Sequence, residues 1–186
     1  MTVKDLHERG ALPLRHTVCG VPLCPMTVGH ARLLDALDLW SPDNAGEVLL
    51  AAFVCSMPHA DARRWMDRRG FGLLMRFWRW RLGKAWDWLA SIRTWREFVI
   101  YHMEEPVVIR KTSGSAGNSQ QCSGTPKLSH MRVVLCSRVG YSPETFDDQP
   151  MAQATLDYLT FLETEGLATV ANFTRRQLAQ IQTATE

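Results

Sequence analysis

Cys19, Cys24 and His30 lie within twelve residues of one another, with His16 close by. Thiolates and imidazoles are zinc ligands, so these residues raise the question of a metal site. The spacing does not suit one: the Cys19/Cys24 pair is followed by no second ligand pair at a standard distance. No metal is expected, and the thiols read as residues of a turn. The five cysteines (Cys19, Cys24, Cys55, Cys122, Cys136) are an odd number spread over loop, helix and linker segments, a poor disulfide framework. Nucleophilic catalysis would need an activated Cys or Ser with a base to orient it, and no G-x-S-x-G or Q-A-C signature is present. His30, in the first turn of a helix, is expected to pack its ring and tie the preceding loop to the helix start. Gly114 and Gly117 sit in a polar run without the strand and helix that make a phosphate-binding loop. The expectation is therefore a non-enzyme with no catalytic residue and no cofactor.

Six of the seven tryptophans (Trp65, Trp78, Trp80, Trp86, Trp88, Trp95) fall between positions 65 and 95. The same region is the one basic patch: Arg63, Arg64, Arg68, Arg69, Arg76, Arg79, Arg81 and Lys84 face only Asp61 and Asp67, a local charge of about +6 in a chain of net +2. Interleaved arginine and aromatic residues build protein interfaces, stack on single-stranded nucleic acid, lie in a membrane interface, or form a core helix with a solvated basic face. On a helical projection Trp78, Leu82, Trp86 and Leu89 share a stripe, whereas Leu73, Trp80 and Phe98 point away from it. Those three need another partner, either the C-terminal helices or a different chain. The seven arginines from Arg63 to Arg81 are the candidate polyanion contacts.

The elements that must position these residues are mostly helical. Residues 12–26, with three prolines, one glycine and two cysteines, read as extended or hairpin-like, with Thr17, Val18, Val21 and Leu23 available to pack. Thr27 caps a helix whose apolar face is Leu33, Leu34, Leu37 and Trp40, stopped by Ser41-Pro42. Asp43 or Asn44 caps a second, apolar nearly all round and so central to the core. Pro58 opens a third, reaching about Arg69 with Trp65 and Met66 inward. Leu73 to about His102 reads as a single long helix ended by Pro106, with a short extended piece at 107–109. The run 112–126 (TSGSAGNSQQCSGTP) has no large apolar residue and reads as a mobile linker. Beyond it come helices over 128–139, 142–146 and 150–165, a connector at 167–171, and a last helix capped by Asn172.

Met131–Gly140 followed by Tyr141–Phe146 has the spacing of a helix-turn-helix. The second segment carries Glu144, Asp147 and Asp148 with no Lys or Arg, so it would repel phosphates, and an αα-corner is the expected structure.

Two stretches resemble a known family. Val21–Leu34 (VPLCPMTVGHARLL) is an extended segment feeding a P-x-T/S-x-G-H-x-x-L-L helix start. Val139–Ala154 (VGYSPETFDDQPMAQA) is similar to a G-x-s-x-e-e-x-x-d-x-P-l-x-x-A corner followed by a helix ending near Glu163–Gly166. Together, and in this order, they resemble bacteriophage and prophage tail assembly chaperone-like proteins. The resemblance covers about a quarter of the chain. It implies a helical, non-enzymatic protein that binds the tape-measure protein or another tail component in the cytoplasm of the bacterial host. The Trp-rich helix and the Ser/Gly linker depart from the family pattern, and no family residue brings a chemical role with it.

The expected fold is all-α, with a main helical domain at 12–110, a flexible linker at 111–126 and a small helical unit at 127–184 that docks on the main domain or on a neighbour. Leu73, Trp80, Trp88, Trp95 and Phe98 are the expected partner-binding residues. A protein partner is expected and self-association is open, with nucleic acid as the alternative partner through segment 63–81. The first thirty residues hold His7, Glu8, Arg9, Arg15 and His16 and no apolar signal segment. No 18-residue uncharged run occurs, so a cytoplasmic protein without a membrane partner is expected.

Overall fold

The structure is a computed structural model in which residues 15–83, 86–103, 107–110 and 127–171 are described. It is predominantly helical, with seven α-helices and two small β-ribbons among those residues.

The chain enters as a hairpin. Strands β1 (Thr17–Val18) and β2 (Val21–Pro22) pair antiparallel, with Val18 opposite Val21. The connecting Cys19 and Gly20 both have positive φ, 53° and 71°, the two-residue turn whose twist matches flanking strands. Val18, Cys19 and Leu23 are buried.

Helix α1 (Val28–Ala36) starts at Thr27 but stops short of the expected Trp40. Asp38 takes a left-handed conformation at φ 53°, the Leu39 N–H bonds to the Leu34 carbonyl (2.9 Å) and the Asp38 N–H to that of Asp35 (3.2 Å). This is a Schellman termination with aspartate where glycine is usual. Leu37 is left partly exposed and Leu39 returns to the core.

Helix α2 (Ala45–Cys55) is capped by Asn44, whose side-chain oxygen accepts from the N–H groups of Gly46 (2.9 Å) and Glu47 (3.0 Å). Val48, Ala51, Ala52, Val54 and Cys55 are fully buried, so this helix is the centre of the fold. Helix α3 (His59–Met66) follows Pro58 and buries only Ala62. Trp65, expected inward, is half exposed, and the Arg68 guanidinium lies over its ring at 4.2 Å.

The expected long helix from Leu73 to His102 is two helices, α4 (Phe71–Leu82) and α5 (Trp88–Met103). Gly83 at φ 73° ends the first, and the Asp87 carboxylate, accepting from the Ala90 N–H (2.8 Å), caps the second. The apolar periodicity runs through the break, which is why spacing alone joined them. α5 is a core helix, burying Trp95, Phe98, Ser91 and His102.

Strand β3 (Val107–Arg110) pairs antiparallel with β4 (Ala168–Ala171), so the expected connector at 167–171 is half of a ribbon. Between them lie α6 (Lys127–Val134), a π-helical turn at Leu135–Val139, a 3-10 turn at Phe146–Asp148 and α7 (Met151–Thr164). The 142–146 helix is thus replaced by a turn and this later 3-10 segment. The Ser/Gly run of the expected linker and the helix expected from Asn172 lie outside the described residues.

One core unites the halves. Met26, Val28, Leu34, Val48, Trp95 and Phe98 from the first part form a continuous buried cluster with Met131, Leu135, Phe146 and Met151 from the second.

Candidate functional site

The stretches 21–34 and 139–154, far apart in sequence, meet in space. The Val28 N–H, one of the free donors at the start of α1, bonds to the Gln149 carbonyl (3.0 Å), and the Met151 N–H, at the start of α7, bonds to the Met26 carbonyl (2.9 Å). Thr27 and Pro150 face each other as an antiparallel bridge. Outside this seam, Arg32 Nη1 reaches both oxygens of the Asp147 carboxylate, at 2.9 and 2.7 Å.

His30 explains the G-H pair of the motif. Thr27 Oγ1 accepts from the His30 backbone N–H (3.4 Å), and the Thr27 backbone N–H donates to His30 Nδ1 (3.1 Å), so histidine plays the part that Glu or Gln has in an ordinary capping box. With Nδ1 accepting, the proton sits on Nε2, which donates to the Met57 carbonyl at 2.8 Å. The neutral ring is satisfied at both nitrogens. Burial pushes its pKa below the ordinary value; His59 adds to the lowering, while the Met57 bond and Asp148 oppose it. Gly29 is required by close packing, since a Cβ there would lie 2.4 Å from the His59 ring. His59 Nδ1 in turn lies 3.4 Å from the Asp148 carboxylate. These residues form a joint, an internal fastening with its polar groups directed at one another.

Cys19 and Cys55 are equally internal. Cys19 is buried and its thiol pKa is raised by burial, against a hydrogen bond with Ser91 that lowers it. The Cys24 N–H donates to the Cys55 carbonyl (2.7 Å), and burial, with the Cys24 thiol nearby, pushes the Cys55 thiol far up. Such thiols hold their protons and are poor nucleophiles or ligands. Among the described residues no group of three or more His, Cys, Asp or Glu is placed to hold a metal ion. A shallow open groove of about 490 Å³ lies between the π turn and α7. Its Asp157 carboxylate is taken up by the Tyr141 hydroxyl and by Gln153 (2.8 Å).

The outer face of α4 is built in the opposite way. The helix packs inward through Phe71, whose ring lies 5.2 Å from that of Phe53 on α2, and through Met75, Trp78 and Leu82, all partly buried against the core. No residue of α4 is fully buried. At about 100° per residue, Leu73, Phe77 and Trp80 fall within about 60° of one another, roughly opposite that inward set. They are 69%, 49% and 76% exposed, and the Phe77 and Trp80 rings are 6.0 Å apart. Arg76 and Arg81 flank this ridge on its two sides, both exposed. Among the described residues none offers Arg76, Arg79 or Arg81 a carboxylate within ion-pair distance.

No family profile, curated protein or solved structure matches this chain.

Of the five residues expected to bind a partner, the structure brings two together on a surface, Leu73 and Trp80. Trp95 and Phe98 are corrected: they are 0% and 1% exposed, their rings tilted against each other at 5.4 Å inside the core, because the break at Gly83 sets the buried face of α5 out of register with that of α4. Trp88 is partly buried against the same core. Phe77 was missed, although it completes an i, i+4, i+7 set with Leu73 and Trp80 and falls between them on the same helical projection. The seven arginines from Arg63 to Arg81 are all exposed, with Arg64 held 3.5 Å from Asp61 and Arg68 over Trp65.

Proposed function

We propose that this chain is a non-enzymatic binding protein that captures an apolar helical segment of a partner on the outer face of α4. The observation that carries the reading is the solvent-facing Leu73–Phe77–Trp80 ridge on a helix whose opposite face already holds it to the fold. Three large apolar side chains at i, i+4 and i+7 are the spacing by which one helix anchors against another. Exposed large side chains contiguous on one face mark interaction surfaces more often than single exposed residues do. Taken with the resemblance of 21–34 and 139–154 to tail assembly chaperone-like proteins, the proposed partner is a tail component such as the tape-measure protein, shielded before it assembles. The motif residues themselves would then maintain the scaffold, and α4 would make the contact.

Co-expression with tail proteins of the neighbouring genes, followed by light scattering, tests the proposal. A complex lost on Leu73→Ala with Trp80→Ala, with helicity unchanged, is the expected result. A chain that binds none of them, or a complex indifferent to both substitutions, overturns it. The competing reading is a polyanion bound by Arg63–Arg81. It predicts binding that weakens steeply with salt as counterions are released, whereas apolar capture is far less salt-sensitive.

A further inference from the structure

We infer that the occupant of the α4 ridge is an amphipathic helix of another protein whose apolar stripe is flanked on both sides by acidic residues. This rests on the reading of α4 as a docking helix and adds the chemistry of what docks. The ridge is one helix wide, and two helices packed face to face lie about 8–10 Å apart, which brings the side chains bordering the two stripes alongside each other. On this chain the bordering side chains are Arg76 and Arg81. From Arg68 through Trp86 the sequence contains no Asp or Glu, while Arg68, Arg69, Arg76, Arg79, Arg81 and Lys84 all fall within it. Among the described residues none offers Arg76 or Arg81 a carboxylate within ion-pair distance, Arg81 having only the Trp78 ring 5.6 Å away, so a partner bordered by carboxylates supplies what the surface lacks and a partner bordered by lysines is repelled.

The same arrangement argues against a second copy of this chain. Two α4 ridges packed on a twofold axis would set Arg76 and Arg81 of one against those of the other, like charges at an interface. A lipid surface is disfavoured by width. The apolar face open to solvent spans only about 60° of the helix, because the opposite side is packed on the core, whereas helices that lie in a membrane interface bury a broad apolar face. Arginine-and-aromatic contact with single-stranded nucleic acid would use Phe77 and Trp80 but leave the aliphatic Leu73 without a role.

The test uses the full chain and three labelled synthetic peptides with one leucine stripe at helical spacing, flanked by Glu, by Gln or by Lys. Fluorescence anisotropy at low and moderate salt reads the affinities. The Glu-flanked peptide is expected to bind about five- to tenfold more tightly than the Gln-flanked one, as two exposed ion pairs allow, with the Lys-flanked peptide weakest. Arg76→Glu with Arg81→Glu should invert the order, and Trp80→Ala should weaken all three. Circular dichroism checks that these surface variants stay folded. Equal affinity for the Glu and Gln peptides overturns the acidic-flank inference and leaves the docking ridge standing. Failure of every peptide, or binding indifferent to Trp80→Ala, overturns both. Trp80-dependent binding to phosphatidylserine vesicles or to oligothymidylate without peptide binding also overturns the inference and reassigns the surface.

Discussion

The joint between α1 and residues 147–151 and the outer face of α4 are both conspicuous in the sequence, one as a short motif and the other as a run of Arg and Trp. They differ in where their side chains end. At the joint, Thr27, His30, Met57 and the backbone of Met26, Val28, Gln149 and Met151 bond to one another, and Gly29 is bare so that His59 can lie against it. On α4 Leu73, Phe77 and Trp80 point at solvent and the arginines beside them have no carboxylate to meet among the described residues. A short motif can thus mark the part of a protein that keeps its shape, and on the reading proposed above the contact surface lies outside it, on α4. Buried polar networks tolerate little change because each lost partner leaves another group unpaired. An exposed ridge can be retuned to a partner at almost no cost in stability.

The sharpest way to break this comparison is to truncate a tryptophan in each class. Trp95→Ala should destabilise the fold by about 3–5 kcal/mol, the usual cost of emptying a large core site, read as a lower urea midpoint. If Trp80→Ala costs as much, α4 is part of the core and the comparison fails. Next in size is the joint. Gly29→Ala forces a methyl against the His59 ring, which is held by its own packing, and should cost about 1–3 kcal/mol, with His59→Ala in the same chain recovering much of the loss.

A smaller and conditional effect comes from His30. Its folded pKa lies below the ordinary 6.5, so the unfolded chain takes up a proton first as the pH falls. The contribution of the neutral buried ring is complete above about pH 6.5 and declines from there down to the folded value, by no more than about 1.4 kcal/mol per pH unit. Urea midpoints of the parent and of His30→Gln, measured across this window, should converge toward acid pH. Constant separation would show that the ring is not held neutral. The smallest effect is expected on the ridge: Leu73→Ala and Trp80→Ala should each change stability by no more than about 0.5 kcal/mol while removing the binding described above.

Helices, their caps and the hairpin were legible because each depends on local chemistry: Thr27, Asn44 and Pro58 act on their immediate neighbours. The places where reading failed are those decided by a single backbone angle or by a distant partner. Asp38 in a left-handed conformation and Gly83 at a helix end reset the direction of the chain without altering the spacing of apolar residues. That is how α4 and α5 read as one rod, and how Trp95 and Phe98 were assigned to a surface. Residues 168–171 read as a connector because a strand is recognised through its pairing, and its partner at 107–110 is remote. For the candidate site, the charge and the aromatic content of α4 were visible, and Leu73 and Trp80 were singled out. Which aromatics remain outside could be settled only by the direction from which α2 and α5 pack.

The joint also sets a timetable for synthesis. Arg32 and Asp147 are 115 positions apart, and the backbone bonds of Val28 and Met26 reach equally far along the chain. At about 5–20 residues per second, roughly 6–23 s separate the emergence of the first half of this fastening from that of the second. Throughout that interval the face of α1 destined for the turn at Phe146–Asp148 and for α7 is uncovered on the nascent chain. A ribosome stalled before codon 146 would therefore display an incomplete core, open to proteases and to chaperones of the cell, and addition of about the last fifth of the polypeptide is the event that closes it.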